Sequence, residues 1–175
     1  MSSTATRPIV LSESDVKRFR SKLAPANDAG CTLWTGHRSH KDGYGRMDVG
    51  SRLNGTKRSL LAHRISYTIA NGPIPQGMTV DHICHTHDCV APTHLRLATN
   101  AENNQNRDGA YANSKSGMRG VILHKASGLW RAEAMANGEK HHLGYYKTPE
   151  AANDVLVAWR REHMPFSVRD AECAA

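Results

Sequence analysis

The run Asp81-His82-Ile83-Cys84-His85-Thr86-His87-Asp88-Cys89-Val90-Ala91-Pro92-Thr93-His94-Leu95, with Asn103 eight residues beyond it, concentrates thiols, imidazoles and carboxylates at short spacing. Val80-Asp81-His82-Ile83 reads as a short strand, His85 to Thr93 as a loop and Leu95-Arg96-Leu97-Ala98 as a second short strand. Thr99-Asn100-Ala101-Glu102 has the form of a capping box, which opens a helix carrying Asn103 in its first turn. The order is strand, loop, strand, helix. A histidine beside an aspartate can take a proton near neutral pH, and a helical amide oxygen can help hold a hard cation.

Working outward, the chain has 175 residues, enough for one medium domain or two small ones, and a small domain usually needs a staple. Four cysteines in a chain without a hydrophobic leader core are expected to be metal ligands or inert thiols rather than disulfides. The formal charge of +7 points to a polyanionic partner, with nucleic acid first. No stretch approaches the roughly 18 to 20 apolar residues that cross a bilayer, so no membrane partner and a cytoplasmic location are expected.

Upstream, Ser12 or Ser14 is expected to cap a short helix, and residues 1–10 to be disordered. Glycines between Cys31 and Leu61 punctuate short runs such as Tyr44-Gly45-Arg46-Met47-Asp48-Val49, a pattern of small antiparallel strands. Between Arg38 and Arg64 lie seven Lys or Arg against two Asp, a basic stretch suited to phosphate. Leu60 to Asn71 has helical spacing and stops at Gly72-Pro73.

Asp-His, Cys-x4-Cys, Pro-x-His-Leu and the helical Asn together resemble the ββα-metal core of HNH and His-Cys-box homing endonucleases. Cys31-Thr32-Leu33-Trp34, Gly43-Tyr44-Gly45-Arg46, Ala62-His63-Arg64 and Gly72-Pro73-Ile74-Pro75 extend the likeness to segments of phage HNH proteins. The resemblance implies His82 as general base, with Asn103 and Asp81 as ligands of one catalytic magnesium. It implies one structural zinc per chain on Cys31, Cys84, Cys89 and His94. That thiolate and imidazole set suits closed tetrahedral zinc, whereas oxygen donors suit magnesium. Arg46 matches an arginine at the scissile phosphate, with Arg38 and Arg64 as rival candidates. Double-stranded DNA is the implied partner, and a phage or mobile element the implied source. One core per chain means that a monomer nicks and a homodimer cuts both strands.

Asn106 to Ser116 is polar and aperiodic, a natural linker. Arg119 to Leu123, Leu129 to Met135 and His141 to Tyr146 read as three strands, with Asn137-Gly138 a strong hairpin turn. Thr148-Pro149-Glu150 opens a helix to about His163, whose face Ala151, Ala152, Val155, Ala158 and Trp159 is expected on the sheet. Gly117-Met118-Arg119-Gly120, Trp130-Arg131-Ala132-Glu133, Leu143-Gly144-Tyr145 and Thr148-Pro149-Glu150-Ala151-Ala152 resemble the Apetala-type DNA-binding domain of ethylene-response factors. This second resemblance implies DNA contacts from Arg119, His124, Lys125, Arg131, Lys140 and His142.

The expected fold class is α+β: a zinc-stapled ββα-metal core, then a three-stranded antiparallel sheet on one helix. The divisions expected are 1–26 tail and short helix, 27–107 nuclease core, 108–115 linker, 116–163 DNA-binding domain and 164–175 tail. His85 and His87 read as solvated loop residues, His63 as packed near the core, Trp130, Tyr145 and Trp159 as core, and Cys173 as a free thiol. The rival class is a zinc-stabilised DNA-binding protein or regulator that does not cut.

Overall fold

The computed structural model describes residues 7–107 and 109–172. The expectations for residues 1–6, Asp108 and Cys173 lie outside them. The chain divides between Thr99 and Asn100 into two compact units. Both mix helices with small antiparallel sheets.

The first unit opens with α1 (Glu13–Arg20). Ser12 caps it through a closed capping box, accepting from the Asp15 N–H while its own N–H donates to Asp15. Three two-stranded antiparallel ribbons follow: β1 (Leu23–Ala26) with β2 (Thr32–Trp34), β3 (Arg46–Val49) with β4 (Arg58–Leu61), and β5 (Thr79–His82) with β6 (Leu95–Ala98). Leu60 and Leu61, expected in a helix, end β4 instead, and α2 (Ala62–Asn71) begins after them. Leu61 pairs with Arg46, so the ribbon claims it first.

Two-stranded ribbons are marginal alone, and here the first two meet α1 and α2 in a core of Phe19, Trp34, Met47, Val49, Ala62, Ile65 and Val90. Trp34 is fully buried and stacks on Phe19 at 5.2 Å. A side chain at position 45 would meet Trp34 at 2.5 Å, which is why the tight Gly43-Tyr44-Gly45 passage ends on glycine. Truncating an aromatic so enclosed costs roughly 3–5 kcal/mol.

The second unit begins with α3 (Asn100–Gln105) and contains a sheet ordered β7 (Val121–His124), β8 (Leu129–Ala136), β9 (Glu139–Tyr146). Asn137 and Gly138 both have positive φ (53° and 82°), as a two-residue hairpin turn of matching twist requires. α4 (Pro149–His163) starts where Thr148 accepts from the Ala151 N–H. Its buried positions are Ala152, Leu156 and Arg160, not the expected stripe through Val155 and Ala158, because i, i+4, i+8 is the row that meets the sheet. A last short helix, α5 (Val168–Glu172), occupies residues expected to be tail. Asn106, expected to open the linker, is buried at 5% exposure and belongs to folded structure.

No helix among the described residues is long and apolar enough to cross a membrane.

Candidate active site and metal centre

Backbone pairing builds the cysteine cluster. The Trp34 N–H donates to the Asp88 carbonyl (2.9 Å) and the Val90 N–H to the Thr32 carbonyl (2.8 Å), while Leu33 bridges Cys89. These bonds lay β2 along the loop, so Cys31, far away in sequence, arrives beside Cys89. A 3-10 turn at Pro92–His94 turns His94 back onto both thiols, with Nδ1 at 3.4 Å from the Cys31 sulphur and 3.6 Å from that of Cys89. The donor atoms of Cys31, Cys84, Cys89 and His94 all lie within 4.8 Å of one another.

Cys31 and Cys89 are buried. Burial, with Cys84 adding like charge, pushes the Cys89 thiol up to about 12. Three thiols in one pocket cannot all ionise without a compensating cation, and the thiolate and imidazole set fits zinc. The cluster is thus a fitting metal site, assembled from the four residues expected of it.

His82 ends β5 and is buried at 5% exposure. Its Nε2 lies 2.9 Å from the Cys89 carbonyl. A carbonyl only accepts, so the neutral ring carries its proton on Nε2 and its lone pair on Nδ1. Burial holds the His82 imidazole below the usual histidine range, despite the Cys89 bond and Asp81, which favour the charged form. The loop that supplies the cluster ligand therefore also fixes the histidine tautomer.

Beside it stands His63, on the first turn of α2, with ring centroids 4.6 Å apart and edge-on. Burial pushes His63 down to about 3, so it is neutral, and its buried Nδ1 has no hydrogen-bond partner among the described residues. Tyr44 packs at 5.3 Å from His63 and 5.8 Å from His82. His63 does pack at the core, as expected, but against the candidate base. A histidine opening a helix gives no sign in sequence of which ring it will meet.

Asp81 accepts from the Arg96 Nε at 2.9 Å, its cross-strand partner on β6. Arg38 donates to the Trp34 carbonyl and pairs with Asp88 at 2.8 Å, bracing the cluster loop. Arg46 begins β3, and Arg64 follows His63 on α2; both are half-buried. His85 is half-buried with positive φ, and its buried Nε2 has no hydrogen-bond partner among the described residues, so it is not the solvated residue expected. His87 is exposed, yet its Nδ1 donates to the Asp42 carbonyl and its ring stacks on Tyr44 at 4.6 Å. Asn103 is exposed on α3, in the second unit.

In that unit the register aligns one outer sheet face: Ile122 with Arg131 and Tyr145, Glu133 with His142, Met135 with Lys140, and His124 with Leu129. Four of the six expected contact residues thus share a face: His124, Arg131, Lys140 and His142. Lys125 sits in the turn after β7. Glu133 holds Arg131 at 3.4 Å and Lys140 at 3.2 Å, an acidic centre the sequence reading passed over. Tyr145 is 45% exposed on this face and is not core. Arg119 is elsewhere, before β7, with its guanidinium on carbonyls at the end of α3.

A family model described as HNH endonuclease matches residues 60–105. The chain is 38% identical over 92 residues to protein 3.8 of Escherichia phage T7, an overlap of 51% of this chain and 69% of that protein. It is 37% identical over 67 residues to the uncharacterized gene 5.3 protein of Enterobacteria phage T3, spanning 38% of this chain and 66% of that one. It is also 37% identical over 75 residues to protein 7.7 of phage T7, spanning 43% and 52%. The chain belongs to the family of phage proteins that includes protein 3.8, and it carries an HNH endonuclease segment over residues 60–105. No solved structure matches it.

Proposed function

We propose that the chain is a homing-type HNH endonuclease that hydrolyses phosphodiester bonds of double-stranded DNA in the cytoplasm, with a core over 27–107 and an Apetala-type targeting domain over 116–163. The observation that carries the reading is the bond from the His82 Nε2–H to the Cys89 carbonyl, which leaves a neutral imidazole with its lone pair on Nδ1. Such a ring can take the proton of a water molecule as that water attacks phosphorus. Its low proton affinity keeps it in the accepting form at neutral pH.

The oxygen donors Asn103 and Asp81 suit one magnesium ion, which when bound neutralises charge growing on the phosphate and the leaving oxygen. Asp81 reaches that role already paired with Arg96, which keeps its carboxylate oriented. Arg46 is the proposed phosphate contact, with Arg64 and Arg38 beside it in the basic stretch. Cys31, Cys84, Cys89 and His94 would hold a structural zinc, which would brace the loop whose Cys89 carbonyl accepts from His82. Arg131, Lys140, His142, His124 and Lys125 form the proposed DNA face of the second module. A monomer nicks and a homodimer cuts both strands.

Magnesium-dependent conversion of supercoiled plasmid to open-circle or linear DNA tests the proposal. Tight DNA binding without conversion, at any magnesium concentration, assigns the chain to the non-cutting class instead.

A further inference from the structure

The helix that carries Asn103 cannot stand alone. α3 has six residues, far below the dozen or so at which an isolated helix becomes even marginal in water. Its last carbonyls have no partners within the helix. Arg119 supplies them: its Nη1 donates to the Gln105 carbonyl at 2.8 Å and the Arg107 carbonyl at 3.5 Å, and its Nη2 to the Asn104 carbonyl at 3.3 Å. A cation at a helix C-terminus also complements the helix dipole.

The clamp is itself held. Arg160, buried on α4, donates to the Arg119 carbonyl at 3.1 Å and forms a two-pronged pair with Asp170 at 2.7 and 2.9 Å. The Phe166 N–H donates to the Gln105 side chain at 3.4 Å, and the Val168 N–H to that of Asn106 at 3.5 Å. Gln105 and Asn106 are 6% and 5% exposed, so these bonds are shielded from water.

We propose that Arg119 is a positioning residue for the catalytic cation: by fixing the end of α3 it sets Asn103, a ligand that lies in the same compact unit as Arg119. The inference rests on the reading of Asn103 as a magnesium ligand.

The test uses the full-length, zinc-loaded chain and Mn2+ as the probe, with binding followed by electron paramagnetic resonance, which needs no turnover. Arg119→Ala weakens Mn2+ binding by about tenfold or more, the usual cost of losing a group that orients a metal ligand, while zinc content stays unchanged. Arg119→Lys, which keeps the charge and some donors, recovers part of that loss. If Arg119→Ala does not fold, Arg119→Met, equal in reach but without donors, carries the same comparison. No Mn2+ binding by the parent, or a folded variant within twofold of it, overturns the inference. So does a fall in DNA affinity with Mn2+ binding intact, which makes Arg119 a DNA contact. Absence of plasmid cleavage by a parent that binds Mn2+ as described instead overturns the nuclease reading alone.

Discussion

Replacing Cys89 with Ser tests the metal centre where it is most enclosed. Cys89 is fully buried, bridges Leu33 on β2, and its carbonyl accepts a hydrogen bond from the His82 Nε2–H, so cluster, ribbon and candidate base meet at one residue. Structural zinc contributes on the order of 10–16 kcal/mol of apparent binding energy, so one ligand of four is worth about 3 kcal/mol. Domain stabilities run to only about 5–15 kcal/mol, so the loss is a large fraction of the whole. For a unit of this size it lowers Tm by roughly 12–24 °C. Thermal unfolding by circular dichroism, with zinc measured by elemental analysis on the same samples, is the assay. A folded parent without zinc, or a Cys89→Ser protein with parental zinc and Tm, refutes the reasoning.

Two further outcomes follow from the same geometry. Burial pushes folded His63 from the ordinary 6.5 down to about 3, so between those values the unfolded chain binds the extra proton and stability falls as pH falls. The parent should therefore lose about 2 kcal/mol more than His63→Leu between pH 7 and pH 5 in urea titrations, and equal losses contradict the burial argument. On the outer sheet face, Arg131→Ala with Lys140→Ala should reduce the salt dependence of DNA binding by about two counterions in fluorescence anisotropy; an unchanged slope removes that face from the interface.

The parts legible in sequence were those with a local cause. Ser12 and Thr148 cap their helices through their own side chains, Asn137-Gly138 makes the turn its two residues favour, and alternating residues of Val80 to Ala98 give the β5–β6 ribbon. Cys31 could be joined to Cys84, Cys89 and His94 by resemblance, but the pairing of β2 with the loop is what brings it there. Illegible were the features made by distant partners. Nothing local in the sequence marks the pairing of Arg160 with Asp170 or the bonds of Arg119 to the end of α3. β1 contains Pro25 and two alanines, poor strand formers, and exists because β2 pairs with it. The meeting of His63 with His82 joins a helix start to a strand end across the core, a contact without local signature.

The central claim, that His82 is the base of a DNA-cutting site, is tested most directly by comparing parent and His82→Ala on supercoiled plasmid in magnesium, with zinc content and DNA affinity measured alongside. His82 provides no zinc ligand, so both controls should stay within a few-fold of the parent, while cleavage falls by about 10²–10⁴-fold. A zinc-loaded His82→Ala protein that cuts within a few-fold of the parent rate contradicts the account.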